Sequence, residues 1–425
     1  MEHEAGDKYA NLSLSSNKTD SLSVDEKRLL TALFYGVIES KIRYDYYIGA
    51  ISTRSADDIS PRARNILRLG ICQLLDINSI PDYAAVNDSV SLAKSKGERA
   101  FVNGVLRELL RQKNSLPMPD AEKNFARYIS VKYSFPQKTV KHFINMLGKA
   151  EAERLLSYFN SERYTDISVN LCKISRDELL ARLLEKGYEA RLSEYSTLGI
   201  RIKGSVNPCN LFGYNEGYFF VQDEACAILA EAMDARQGQV ILDVCSAPGG
   251  KSFAFASLTL DGAEIYSFDK QASKLSLIEN GAKRLSLNSI TVAARDALLP
   301  DPALFGKADR VLCDVPCSGL GILGKKADIR YKDLSSLEDL PSLQYGILNA
   351  SKAYLKENGI MVYSTCTLNS SENKEVVNRF LEENPDFSLM PFRAGDLLSE
   401  TGMLTLYPHL HNTDGFFIAK LKRGN

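Results

Sequence analysis

Val240-Ile-Leu-Asp-Val-Cys-Ser-Ala-Pro-Gly-Gly-Lys251 reads as a buried strand running into a tight turn and then into a helix. Val240 to Val244 is an apolar run of strand length, and Pro248, Gly249 and Gly250 end it. Glycine in such a turn lets the backbone approach a ligand, and the helix start offers N–H groups with no helical partner. Asp269 stands 20 residues after Gly249, at the end of the next strand-like segment. An open α/β sheet places an acid there against the ribose of an adenosine. The turn lacks both the Gly-x-x-x-x-Gly-Lys-Ser/Thr of a phosphate-binding loop and the Gly-x-Gly-x-x-Gly of a dinucleotide site. A nucleoside without a pyrophosphate fits better than NAD, which points to S-adenosyl-L-methionine.

Outward from this turn, strand and helix patterns alternate. Gln239–Val244, Glu264–Phe268, Ser289–Ala293, Arg310–Cys313 and Gly359–Tyr363 read as strands with helical patterns between them, which predicts a parallel α/β sheet. Met403–Tyr407 and Gly415–Leu421 predict two more strands joined by a polar loop, an antiparallel edge. The third parallel strand ends at Arg295-Asp296-Ala297, where Asp296 is placed either to receive an adenine amino group or as a plain surface acid.

Two strand ends carry thiols: Asp314-Val-Pro-Cys317-Ser-Gly and Tyr363-Ser-Thr-Cys366-Thr. Ligands of open α/β sheets lie outside the carboxyl ends of the strands. If these two strands are neighbours they lie about 4.8 Å apart, and both thiols face one pocket. Cys72, Cys172, Cys209, Cys226 and Cys313 are expected to be small buried hydrophobes, with Cys245 lining the turn. No nearby His and no Cys-x-x-Cys spacing makes a metal centre of Cys317 and Cys366. Thiols have a use beside a methyl donor. Carbon 5 of a pyrimidine is a poor nucleophile, and a thiolate added at C6 turns it into an enamine-like carbon. A second group must then remove the C5 proton before the thiol can leave.

The rest of the chain differs in period. Residues 24–115 read as helix, with Leu30, Leu33, Phe34, Val37 and Ile38, then Leu67, Ile71, Leu74 and Leu75, at helical spacing. Pro61, Pro81, Pro117 and Pro119 punctuate a compact bundle, and the opening through Ser21 is rich in Ser and Asn. Between Lys94 and Lys141 basic residues far outnumber acidic ones, a pattern that suits RNA phosphates or an ordinary solvated helix face. Asp166–Leu171, Tyr188–Leu192, Gly199–Lys203 and Gly217–Val221 read as short strands, and Ser175 with Glu178 as a capping box, so a small α+β module is predicted.

A length of 425 residues suits two or three domains. Fifty-two Lys and Arg against 53 Asp and Glu exclude a strongly basic chain while allowing a local basic patch. No run reaches the roughly 18 apolar residues of a membrane span, and the acidic start lacks a signal peptide's basic and apolar blocks. Eight Cys with four His suit a reducing cytoplasm.

At these residues the sequence closely resembles the Sun family of RNA cytosine-C5 methyltransferases, in its bacterial 16S ribosomal RNA branch. The resemblance runs from about Tyr218 to Lys422 through Val221-Gln-Asp-Glu, Cys245-Ser-Ala-Pro-Gly-Gly-Lys251, Asp314-Val-Pro-Cys317-Ser-Gly, Ser364-Thr-Cys366 and Asp414-Gly-Phe-Phe-Ile-Ala419. It implies that Cys366 is the nucleophile and that Cys317 assists proton removal and product release. It also implies that Cys245, Ser246, Ala247, Pro248, Gly249, Gly250, Lys251, Asp269, Asp296 and Asp314 border the cofactor, with Asp314 equally placed to meet the target base. Lys325, Lys326, Arg330 and Lys332 follow the Pro-Cys loop and are expected to hold RNA phosphates. Tyr9-Ala-Asn-Leu, Leu29–Gly36, Ala85–Val90 and Phe101–Arg107 resemble the NusB-like RNA-binding domain of this branch. That makes Tyr9–Ser15 helix, in a domain short by one N-terminal helix. Ser168 stands where the family usually has Arg.

Three parts are therefore expected: a NusB-like all-α domain over residues 1–145, a small α+β module over 146–215, and a Rossmann-like methyltransferase domain over 216–425. The expected protein is a cytoplasmic monomer that binds no metal and no membrane. It methylates C5 of an unpaired or flipped cytosine of 16S ribosomal RNA with S-adenosyl-L-methionine. A transfer-RNA cytosine methylase shares every catalytic motif, and only the NusB-like domain argues against it. A non-catalytic RNA-binding assembly factor would keep the fold as scaffold, but here both Cys and the cofactor acids are present.

Overall fold

A computed structural model of the chain describes residues 22–52, 54–161, 164–204 and 206–424. The helix expected over Tyr9–Ser15 lies outside them. The chain divides into two compact units, Met1–Asn160 with Leu323–Leu334, and Ser161–Ile322 with Ser335–Asn425. Among the described residues no helix is long and apolar enough to cross a membrane.

The first unit is helical: Val24–Glu39, Lys41–Ser52, Pro61–Leu75, Asp82–Ser91, Lys96–Arg111, Phe125–Tyr133, Gln137–Leu147 and Lys149–Tyr158. Local chemistry sets these starts. Ser23 and Glu26 form a reciprocal capping box, and Pro61 opens its helix behind Ser60, whose Oγ accepts the Ala63 N–H. The apolar spacing read from the sequence turns Leu67 and Ile71 inward, where they are fully buried with Tyr44, Leu106 and Leu109. This unit runs to Asn160, past residue 145, because the Phe159 ring packs on Phe135 and Phe143 at 6.0 and 6.3 Å.

Among the described residues, the second unit holds one two-stranded hairpin and two main sheets. The smaller comprises β1 (Tyr164–Val169), β2 (Ala190–Leu192), β3 (Gly199–Lys203) and β4 (Phe219–Val221), antiparallel in the order β2-β3-β1-β4. The helix Arg176–Glu185, capped by Ser175 Oγ on the Glu178 N–H, covers it with Leu179 and Leu183. The larger sheet takes β5 (Val240–Asp243), β6 (Glu264–Asp269), β7 (Ile290–Ala294), β8 (Ala308–Asp314) and β9 (Leu355–Thr365) as parallel strands. Of the later strands β10 (Phe387–Leu389), β11 (Phe392–Ala394), β12 (Leu397–Ser399), β13 (Met403–Leu406) and β14 (Phe416–Arg423), β11 and β12 form a separate hairpin. The order β10-β14-β9-β8-β5-β6-β7, with β13 and β10 both antiparallel to β14, gives a Rossmann-like sheet with the predicted antiparallel edge.

This order positions the site. From β5 the chain moves outward to β6 and β7, then returns to the other side of β5 with β8 and β9. The reversal between β5 and β8 opens the crevice in which α/β sheets bind ligands. The small sheet braces its floor. Ser168 Oγ donates to Gln222 Oε1 (2.9 Å), and Gln222 Nε2 donates to the Gly250 carbonyl (2.9 Å).

Candidate active site

The turn after β5 is held closed by its own backbone. Gly249 adopts φ +106°, a side chain there would collide with the Phe253 ring at 2.7 Å, and its N–H donates to the Ser246 carbonyl (2.7 Å). Ser246 donates twice to the Phe268 carbonyl, from N–H (2.8 Å) and Oγ (3.0 Å), tying the turn to β6. Asp269 ends β6 with one oxygen accepting the Ala247 N–H (3.2 Å) and the other the Gln271 N–H (2.9 Å). A Cβ on Gly250 would stand in ordinary contact with Gln222 Nε2 (3.7 Å) and the Val221 carbonyl (3.9 Å).

Asp243 lies fully buried beneath the turn. One oxygen accepts Ser252 Oγ (2.8 Å) and the other is buried without a donor. Desolvation pushes this carboxyl up to about 7, against the opposing pull of the Ser252 hydroxyl. Asp296, at the end of β7, pairs with Lys270 Nζ (2.8 Å) and accepts the Leu298 N–H (3.1 Å). The Lys270 hydrogen bond comes first among the influences that hold it below the usual carboxylate range.

Across the crevice Lys251 Nζ meets Asp314 Oδ2 at 2.7 Å, and Ser364 Oγ donates to Asp314 Oδ1 (2.8 Å). Burial, the largest single influence, pulls the Lys251 ammonium down, but Asp314, Cys226 and Asp243 together outweigh it and the net shift is well upward. Lys251 therefore stays charged between β5 and β8.

β8 and β9 pair in parallel register, Asp314 opposite Ser364. Three residues past the end of β8 and one past the end of β9, both half-buried, lie Cys317 and Cys366. Their sulfurs are 3.0 Å apart, and the Cys366 N–H points at Cys317 Sγ (3.3 Å). The hydrogen bond from Cys317, and burial after it, push the Cys366 thiol well above the ordinary thiol range. Asp314 adds to this shift and Lys251 opposes it. Cys366 is thus a protonated thiol at neutral pH, with a second thiol in contact.

The sequence reading does not find what holds this pair. Glu372 and Gln344 are buried, at 1 % and 0 % exposure, and both bond to the Pro-Cys loop. Each is a lone polar residue, Glu372 in a Ser-rich turn and Gln344 on a helix, so neither carries a spacing signal. Arg330 corrects an expectation. It is 1 % exposed, its guanidinium donates to the carbonyls of Leu323 (2.9 Å), Phe159 (3.1 Å) and Glu39 (3.4 Å), and it lies over the Phe135 ring. A group so enclosed is structural and meets no phosphate. Lys325, Lys326 and Lys332, also in the segment that joins the helical unit, are exposed. Cys172 and Cys209 are exposed as well, not buried, because Cys172 sits on a turn and Cys209 in the short 3-10 helix Pro208–Asn210, and Cys226 is half-buried.

The family model described as 16S rRNA methyltransferase RsmB/F matches residues 230–422, the NusB family matches 1–111, and the RsmF/B-like ferredoxin-like domain matches 135–208. A probable ribosomal RNA small subunit methyltransferase B of Synechocystis sp. is 36 % identical over 95 % of this chain and 92 % of its own. The protein of that name from Bacillus subtilis is 32 % identical over 99 % and 96 %. Among solved structures, PH0851 superposes with a TM-score of 0.79 at 26 % identity over 96 % of this chain and 92 % of its own. NSun6 from Pyrococcus horikoshii, solved with SFG, shares the fold with a TM-score of 0.63 at 23 % identity over 69 % of this chain and 99 % of its own.

Proposed function

The chain belongs to the RsmB/F family of 16S rRNA methyltransferases, and from that premise we propose that it methylates C5 of a cytosine in 16S ribosomal RNA through a covalent adduct on Cys366. The observation that carries the chemistry is the 3.0 Å contact between two free thiols at the carboxyl ends of adjacent parallel strands. One thiol suffices for attack. A second in contact suits a reaction whose adduct must also be taken apart.

S-adenosyl-L-methionine fits the residues present. Asp269 ends β6 where a ribose acid belongs, and the buried, undonated oxygen of Asp243 suits a hydrogen-bonding partner. When bound, this cofactor supplies an electrophilic methyl group. Cys245, Ser246, Ala247, Pro248, Gly249, Gly250 and Lys251 would form its loop, with Asp269, Asp296 and Asp314 at its borders.

The chain's own residues do the rest. Cys366 gives its proton to solvent and, as thiolate, bonds to C6 of the base, and the C5–C6 π pair pushed onto C5 makes that carbon nucleophilic. Lys251, held by Asp314, is the nearby cation that favours the thiolate. After C5 has been methylated, Cys317, having given its own proton to solvent, takes the C5 proton as thiolate, the C5–C6 double bond re-forms, and Cys366 leaves as thiolate. The target base is unpaired or flipped, since C6 is unreachable in a stacked helix.

The two thiols have separable roles, which sets the test. Cys366→Ala should abolish methyl transfer and give no covalent RNA adduct on denaturing gels. Cys317→Ala should still attack and methylate, and stay trapped on its RNA. Adduct with Cys366→Ala and none with Cys317→Ala would reverse the assignment, and adduct with neither would overturn the covalent route. Bisulfite sequencing of ribosomal and transfer RNA from a deletion strain identifies the substrate, and loss of a mark in transfer RNA alone would refute 16S ribosomal RNA.

A further inference from the structure

We propose that Glu372 is a positioning residue for both cysteines, its buried carboxylate holding the Pro-Cys and Thr-Cys loops in the register that lets Cys317 release the Cys366 adduct. The inference rests on the covalent route above and adds a residue that no motif assigns.

Glu372 ends the short turn Ser370–Glu372 that follows the Thr-Cys loop. Its Oε2 accepts the Ser318 N–H (2.8 Å) and Gln344 Nε2 (3.0 Å). Its Oε1 accepts Asn369 Nδ2 (3.1 Å) and Thr367 Oγ1 (3.5 Å). Ser318 is the residue after Cys317, and Thr367 is the residue after Cys366. One side chain thus grips the position next to each thiol. The two loops are also pinned directly, Ser318 Oγ lying 2.7 Å from Thr367 Oγ1. Gln344 reaches the other flank of Cys317 by donating to the Pro316 carbonyl (2.9 Å).

The choice of a carboxylate is informative. All four of these donors are neutral, so the group is buried without a countercharge among them, an arrangement with a heavy desolvation cost. Glutamine would fill the same volume with less cost. An ionised carboxylate, however, is acceptor-only at both oxygens, whereas an amide turns an NH2 on one pair of donors. Amide N–H donors face both oxygens, the Ser318 N–H and Gln344 Nε2 on one and Asn369 Nδ2 on the other, so both oxygens must accept. Glu372→Gln therefore sets its NH2 against Asn369 Nδ2 on one side or against the Ser318 N–H and Gln344 Nε2 on the other, and pushes one loop away from the other.

The step most sensitive to that shift is release, because it needs the Cys317 sulfur and the Cys366 adduct in register, while attack needs Cys366 alone. In wild type, Cys317→Ala, Glu372→Gln and Thr367→Val, multiple-turnover methylation of a 16S RNA fragment and covalent adduct on denaturing gels are measured together. Glu372→Gln should lower kcat about tenfold to a hundredfold. The KM for S-adenosyl-L-methionine should change much less, and a methylated protein–RNA adduct should accumulate. Thr367→Val, which removes one donor and the tie to Ser318, should do the same more weakly and carries the test if Glu372→Gln fails to fold. Loss of activity without adduct, or turnover like wild type in both variants, would overturn the positioning role while Cys317→Ala still traps. No adduct with Cys317→Ala would instead overturn the covalent route and this inference with it.

Discussion

The Cys317 sulfur, 3.0 Å from Cys366 Sγ, is the leading influence that keeps the Cys366 thiol protonated. The residue that helps dismantle the adduct on this route also restrains its formation. On that route free thiolate is scarce at rest, which protects the half-buried Cys366 from side reactions until a base is in place.

Removing the restraint should be measurable. A raised thiol pKa means less thiolate at a given pH, so wild-type single-turnover methylation should climb with pH through neutrality and on into the alkaline range. Cys317→Ala removes the leading cause of the rise, and its rate of adduct formation, followed by rapid quench, should climb at lower pH. Coincident pH profiles would show that the sulfur contact does not control Cys366.

Asp243 gives a stability test with a definite sign. Its folded value is about 7 against an ordinary 3.8, so between these pH values the folded state holds the extra proton. The native state therefore loses stability as pH rises from about 4 through about 7. Asp243→Asn cannot titrate, and its melting temperature minus that of wild type should grow more positive from pH 5 to pH 8. A constant difference would mean that the buried carboxyl titrates normally.

The cofactor assignment turns on Asp269. Charge-assisted hydrogen bonds to ribose hydroxyls are worth ~1.5–3 kcal/mol each, so Asp269→Ala should weaken S-adenosyl-L-methionine binding at least about tenfold by calorimetry. Unchanged affinity would remove Asp269 from the site.

Exposed and buried basic residues in the segment 323–334 should separate cleanly. Phosphate contacts by single-stranded RNA contribute a log–log salt slope of roughly −0.7 each, so reversing Lys325 and Lys326 to Glu should flatten the salt dependence of RNA affinity. Arg330→Met should leave that slope alone and lower the melting temperature, because it strips buried carbonyls of donors at about 1–3 kcal/mol apiece. A change of slope with Arg330→Met would return it to the RNA-contact set.

Local sequence determined much of this protein. An apolar run ending in Pro248-Gly249-Gly250 has few conformations open to it, and β5, β6, β7, β8 and β9 all fall where period and turn chemistry predict them. Both thiols are legible as strand-end residues for the same reason. What only the tertiary structure decided is which distant groups meet. Cys317 and Cys366 touch across 49 residues because β8 pairs with β9, and Lys251 meets Asp314 because β5 lies on the other side of β8. Arg330 reads as one more surface cation in a basic segment, yet its guanidinium is enclosed by carbonyls from Glu39 and Phe159. Glu372 carries no signal in its polar turn, yet four neutral donors from distinct residues surround it. Hydrogen-bond partners brought together by sheet order leave no periodic trace in the chain, because period records only which face of an element is buried and not what waits on the other side.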